Sequence, residues 1–189
     1  MYTLALSLVL TQSASGAVPL RVALQNESVS LPSVTRLFTN FNPGFEVGTE
    51  WRYRQTTRLT LYQAFTLGLF HHEGLTTAPY VSTAFGVRPT LVGGLFVDAG
   101  VSVGYLANIS SLPLFENEAS GFRVASPVLH RFIGGLSLGV GWQFGTVAPF
   151  VSYALLVETP FLRRFSPVLP HQLLQVGVRF ELPVGGVQR

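Results

Sequence analysis

From Gly44 to Leu182 the chain keeps a two-residue rhythm in which apolar side chains alternate with small or polar ones. A period of two places successive side chains on opposite faces of a β-strand. The first run opposes Phe45, Val47, Thr49, Trp51 and Tyr53 to Glu46, Gly48, Glu50, Arg52 and Arg54. The next opposes Leu59, Leu61, Phe65, Leu67 and Leu69 to Arg58, Thr60, Ala64, Thr66 and Gly68. The pattern returns over Val81–Arg88, Val97–Tyr105, Arg131–Phe144, Val151–Glu158 and Leu174–Leu182. Each run is close to the roughly 9–11 residues that a tilted strand needs to cross a bilayer.

The connections suggest the topology. Those near Gln55–Thr57, Pro89–Gly94 and Gly145–Thr146 are short, and those near His72–Thr77, Asn108–Leu129 and Thr159–Pro170 are longer. Strict alternation of this kind suits an up-and-down antiparallel barrel, with tight turns at one rim and loops at the other. By that rule the Phe45 strand starts at the loop rim, so another strand must lead to it. Leu20–Ser30 is the candidate, with Leu31–Pro43 as the first loop; its alternation is weaker, and a plug is the other reading. With it the fold is all-β, an eight-stranded antiparallel barrel with both termini at the turn rim.

Alternation does not say which face points outward. Hydrophobic residues make up 48% of the 189 and charged residues 11%, against roughly 25% charged in an average soluble protein. No apolar run reaches the ~18 residues of a spanning helix. The second face is mostly Gly, Ala and Ser with occasional charges, which suits a narrow lumen. Trp51, Tyr53, Tyr105, Trp142 and Phe144 fall near strand ends, where an interfacial girdle belongs. A transmembrane barrel is therefore expected, with a soluble periplasmic ligand-binding barrel, apolar inside, as one alternative. Eight strands enclose a space that side chains fill. Glu46, Glu50, Arg52, Arg54, Arg88, Asp98, Arg131, Glu158, Arg179 and Glu181 are expected to pair there, because a buried charge must be paired or neutralised. Strand glycines around 100–104 and 135–141 are expected beneath inward aromatics such as Tyr62, Tyr80 or Phe150.

The opening MYTLALSLVLTQSASGA carries an apolar stretch, Leu4–Leu10, and places Ser15 and Ala17 at −3 and −1 of a cleavage site. It reads as an export signal over residues 1–17 with a truncated basic start, followed by the barrel over 18–183 and a short tail over 184–189. Cysteine is absent, which excludes disulfides and thiolate metal sites; no metal or cofactor is expected. All 12 basic residues are arginine, and the net charge is +3. The arginines are scattered and not clustered, which argues against nucleic acid as a partner.

On these residues the chain resembles the small eight-stranded outer-membrane barrels of the OmpA transmembrane-domain and OmpX type. The closing strand LLQVGVRFEL resembles their C-terminal assembly signal, although Phe180 is followed by ELPVGGVQR and not by the chain end. NPGFEVGTEWRYR and LPHQLLQVGVRFEL also resemble a group of small exported barrels. The resemblance implies a monomer in the outer membrane of a Gram-negative bacterium, inserted by the barrel-assembly machinery and surrounded by lipid and lipopolysaccharide.

Catalytic signatures are absent: there is no P-loop, dinucleotide fingerprint, zinc motif or nucleophile elbow. The histidines His71, His72, His130 and His171 all fall at the loop ends of strands, level with Glu73 and Glu158. Some barrels of the resembled type modify lipid A with a rim His and Ser. A deacylase or acyltransferase built on these four histidines is accordingly the second alternative, although no neighbouring serine is apparent. Arg163 and Arg164, in the last loop, are candidates for contact with lipopolysaccharide phosphates.

Overall fold

The computed structural model describes residues 17–29, 37, 41–72, 76–113, 115–118, 121–160 and 168–183. The segments expected as export signal and C-terminal tail lie outside these residues, apart from Ala17. In chain order the strands are β1 (Ala17–Ser28), β2 (Pro43–Gln55), β3 (Leu59–His72), β4 (Thr76–Pro89) and β5 (Leu95–Ser110). There follow β6 (Phe115–Glu118), β7 (Gly121–Val124), β8 (Val128–Trp142), β9 (Val147–Thr159) and β10 (Leu169–Pro183). Eight of them close an antiparallel barrel in the order β1-β10-β9-β8-β5-β4-β3-β2, while β6 and β7 form a separate two-stranded sheet.

β1 seals the ring. It pairs with β10 from Ala17↔Pro183 to Ser28↔Gln172 and with β2 from Leu20↔Thr49 to Asn26↔Pro43. The leading segment is thus a wall strand and not a plug, and it begins at Ala17, ahead of Leu20. Its two-face pattern is present, with Val18, Val22 and Leu24 exposed and Ala23, Gln25 and Glu27 buried. The pattern is obscured where Asn26 turns to the first loop. Its amide donates to the Leu37 carbonyl at 2.5 Å, and its side-chain oxygen accepts from the Asn42 backbone N–H at 2.7 Å.

The barrel strands are 12 to 16 residues long, longer than the spans expected from a bilayer crossing. They carry the ladder past the hydrocarbon zone and shorten the connections. Pairing of His72 with Thr76 leaves residues 73–75 between β3 and β4, so this connection is short where a longer one was expected. The connection expected over Asn108–Leu129 shrinks to 111–127 and contains the β6–β7 hairpin. At the opposite rim the turns are 56–58, 90–94 and 143–146. Gly93, Gly94 and Gly145 take positive φ there (70°, 91° and 57°), a region that costs glycine nothing.

The outward face is the apolar one. Leu67, Val103 and Leu138 are each 61% exposed, whereas Glu46, Glu50, Arg88 and Arg179 are 3%, 7%, 6% and 4% exposed. A contiguous apolar coat of this extent is compatible with hydrocarbon and not with water. The soluble barrel, with its apolar side inward, is therefore corrected. Aromatic pairs sit toward the rims. Trp142 stacks on Phe144 and Tyr53 on Phe85 on the turn side, and Tyr105 meets Phe132 edge-on at the loop side.

Inside, rings cover strand glycines, but with partners other than those expected. A Cβ on Gly68 would lie 2.2 Å from the Tyr80 ring, and one on Gly86 2.3 Å from Tyr62. One on Gly141 would lie 2.3 Å from Phe96, and one on Gly177 2.6 Å from Phe150. Gly100, Gly104, Gly135 and Gly139 instead approach neighbouring backbone, serines and Leu156.

Two substitutions test this arrangement by urea unfolding in lipid vesicles. Leu67→Arg, at mid-strand on the outer face, should cost about 2–4 kcal/mol. Gly86→Ala should cost about 1–3 kcal/mol by displacing the Tyr62 ring. If Leu67→Arg leaves stability unchanged, that face does not meet hydrocarbon.

Candidate functional site

The alternation that turns Val, Leu and Phe outward directs every second residue into the tube, where side chains fill the space. The charges there are layered. Nearest the turns, the Glu50 carboxylate accepts both terminal nitrogens of Arg88 at 2.6 and 3.0 Å, and Nε of Arg179 at 2.9 Å. Asp98 completes the ring: it accepts Arg88 Nε at 2.9 Å, Arg179 Nη2 at 3.0 Å and the Tyr62 hydroxyl at 2.9 Å. Two guanidiniums and two carboxylates from β2, β4, β5 and β10 are thereby tied across the lumen. Bidentate Arg–carboxylate geometry is the strongest form of such a bond. The guanidiniums also lie over rings, Arg88 at 4.4 Å from the Tyr62 centroid and Arg179 at 5.3 Å from Phe96. At the mouth below them Arg52 pairs with Glu181.

The middle layer centres on Glu46. It pairs with Arg21 at 2.9 Å and accepts the Gln175 amide at 2.9 Å and the Tyr80 hydroxyl at 3.0 Å. Gln175 in turn accepts from Arg21 and from Ser152, at 3.0 and 2.7 Å. An apolar layer follows, made of Phe70, Ala78, the Tyr80 ring, Leu106 and Ile133. Beyond it, at the loop side, His171 bridges Glu27 (Nδ1, 2.7 Å) and Glu158 (Nε2, 3.0 Å). Each ring nitrogen of His171 thus faces a buried carboxylate. His72 also pairs with Glu27, and Arg131 lies 3.4 Å from Glu158. Glu27 and Glu158 are wholly buried.

The architecture can be set against known structures at this point. One similar solved structure is Neisserial surface protein A, with a TM-score of 0.57 at 14% identity, covering 89% of this chain and 98% of that one. Another is the N-terminal β-barrel domain of Pseudomonas aeruginosa OprF, with a TM-score of 0.51 at 10% identity, covering 88% of this chain and 98% of that one. The fold is that of a small outer-membrane β-barrel. No protein-family model and no curated protein matches the sequence, so the likeness concerns architecture.

Within this barrel the predicted residues do not all meet. Glu46, Glu50, Arg52, Arg88, Asp98, Arg131, Glu158, Arg179 and Glu181 turn into the lumen and engage opposite charges. Arg54 does not. A register shift between Arg52 and Arg54 sets Arg54 opposite Leu61, an outward residue, and leaves it exposed. The bulged strand gains one residue, which reverses every side chain beyond it.

The four histidines also divide. His72 and His171 share Glu27 inside, while His71 and His130 are exposed on the other face. His71 bonds Thr77 at 2.9 Å, and His130 stacks on and bonds Tyr105. The barrel wall separates the two pairs, so no four-imidazole centre forms. Among the described residues no cluster has metal-binding geometry. Glu73, Arg163 and Arg164 lie outside the described residues.

Arg21, Gln25, Glu27 and Gln175 belong to the same lumen network and are absent from the sequence-based set. Their signal was available, since Arg21, Ala23, Gln25 and Glu27 keep step on one face of β1.

The ring around Glu50 predicts a large effect from a small change. Glu50→Gln strips two guanidiniums of their shared counter-charge and should cost about 3–5 kcal/mol. Tyr62→Phe, which removes one neutral donor, should cost about 1 kcal/mol. Equal losses in vesicle unfolding would show that the charges are not closed off from water.

Proposed function

We propose that the protein is an outer-membrane β-barrel of a Gram-negative bacterium with a structural or surface-interaction role, exerted by its loop rim. What carries this reading is the contrast between interior and rim. The lumen is tied across by ion pairs and crossed by an apolar layer, which favours a support over a channel. Chain length is spent instead at the loop rim, where the connection between β5 and β8 holds a hairpin of its own, with Phe115↔Val124 through Glu118↔Gly121 in register. Rigid barrels commonly carry recognition on such loops.

The partner class is lipopolysaccharide or another surface molecule. Arg163 and Arg164, in the connection between β9 and β10, supply guanidiniums suited to its phosphates. The barrel acts as a monomer and reaches the membrane through the barrel-assembly machinery. The split of the histidines speaks against the lipid A-modifying alternative.

Three measurements test the proposal. The protein should fractionate with outer membranes and migrate faster unheated than boiled. Arg163→Gln with Arg164→Gln should weaken lipopolysaccharide binding without changing that migration. Lipid A from cells with and without the protein should have the same acyl chains by mass spectrometry. A protein-dependent loss or gain of an acyl chain, abolished by alanine at His71, His72, His130 and His171, would replace this reading with the enzymatic one.

A further inference from the structure

The bulge that expels Arg54 from the lumen leaves a cation on the membrane side of the turn rim. Arg58, beyond it in the turn between β2 and β3, is also exposed. Among the described residues neither Arg54 nor Arg58 has a hydrogen bond or ion pair from its side chain. The five arginines inside the tube (Arg21, Arg52, Arg88, Arg131 and Arg179) each face a carboxylate.

The surroundings of the two cations are those of a membrane boundary. Three residues deeper on the same face, across the bulge, Trp51 is 44% exposed. Tyr53 donates to Gln63 at 2.5 Å, Gln63 to Thr83 at 2.9 Å, and Thr83 to the Ala64 carbonyl at 3.0 Å. That outward polar chain satisfies itself, whereas Arg54, next toward the turn on this face, has no partner among the described residues. On the neighbouring turn, Val92 is 91% exposed and Leu91 is exposed beside it. The Thr90 N–H bonds the Arg58 carbonyl at 2.8 Å and locks the two turns together. Thr57, Arg58, Thr90, Leu91 and Val92 line one cleft of about 440 Å³. Arg58 brings one guanidinium to two hydroxyls and an apolar pair in that cleft. Arg54, outside its lining, adds a second cation on the outer face of the adjoining strand. This set matches a phosphate ester joined to hydrocarbon.

We propose that this rim binds an anionic phospholipid of the leaflet on the turn side. Arg58 takes the headgroup phosphate in the cleft, Arg54 adds its charge from the adjoining strand, and Leu91 and Val92 meet the start of the acyl chains. The site rests on the transmembrane fold and is independent of the loop-rim reading, which concerns the other end of the barrel.

Native mass spectrometry of the full chain from neutral detergent micelles tests it, with phosphatidylglycerol and phosphatidylcholine of identical acyl chains as probes. The wild type should retain phosphatidylglycerol in preference, and Arg54→Gln with Arg58→Gln should reduce that retention roughly tenfold to thirtyfold, from ~1 kcal/mol per arginine near a charged surface. Arg54→Lys with Arg58→Lys keeps the charge and should keep most of the preference. Arg163→Gln with Arg164→Gln, at the loop rim, should leave it unchanged. Faster migration of unheated samples identifies folded variants, and if the Gln pair does not fold, loss of the preference on adding millimolar calcium serves in its place. Equal retention of both lipids overturns the proposal. So does a preference that follows Arg163 and Arg164, or displacement of the lipid by millimolar inorganic phosphate, which would mark a site for the free anion.

Discussion

The Glu50 carboxylate, held between Arg88 and Arg179, shows the constraint under which the whole barrel is built. With Phe65, Leu67, Phe85 and Leu138 committed to hydrocarbon, no charge can be settled on the outside at mid-strand. Every charge the strands carry at that depth must be balanced within the tube. An isolated carboxylate in such a space would be prohibitively costly, and even a paired one gives little net stability. What the pairs supply is specificity. Glu50 is satisfied only if β2, β4 and β10 all stand in their observed registers, because a slip of one residue would turn its partners into the membrane.

The same constraint accounts for the composition. A chain with 11% charged residues has few to place, and in each layer they are matched: Arg88 and Arg179 with Glu50 and Asp98, Arg21 with Glu46, the two inner histidines and Arg131 with Glu27 and Glu158. Arginine serves this better than lysine, since one planar fork can reach two carboxylates and lie over a ring at once. Arg88 does all three. Glycines opposite Tyr62, Tyr80, Phe96 and Phe150 make the room that these large inward groups need.

Fold and facing were legible because the period of two is a direct consequence of strand geometry and continues through β2, β3, β4, β5, β8, β9 and β10. Most lumen charges could be named for the same reason. The failures mark places where periodicity is not the controlling term. Arg54 keeps the rhythm in sequence, but a bulge reverses it in space, and no local signal around RYRQ announces the extra residue. The histidines share a level along the barrel axis, yet His71 and His72 are neighbours in one strand and must point to opposite sides. Ring–glycine pairing depends on which strand lies next door and at what stagger, which is a matter of register and not of pattern. The length of the strands was misjudged because pairing beyond the bilayer is set by hydrogen bonding in water and headgroups, where apolar alternation is no longer required.

β10 contributes to every polar layer: Glu181 at the mouth, Arg179 in the lower ring, Gln175 in the middle and His171 at the top. It is also the last strand made and the one that joins β1. Until it docks, Glu50, Glu46, Glu27 and Glu158 each lack one of their partners, so an open sheet missing only this strand would leave every layer of the network incomplete. The seam between the first and last strands is therefore braced by polar contacts at every level of the lumen. Sideways opening of the finished barrel at that seam would have to break four tiers of contacts together.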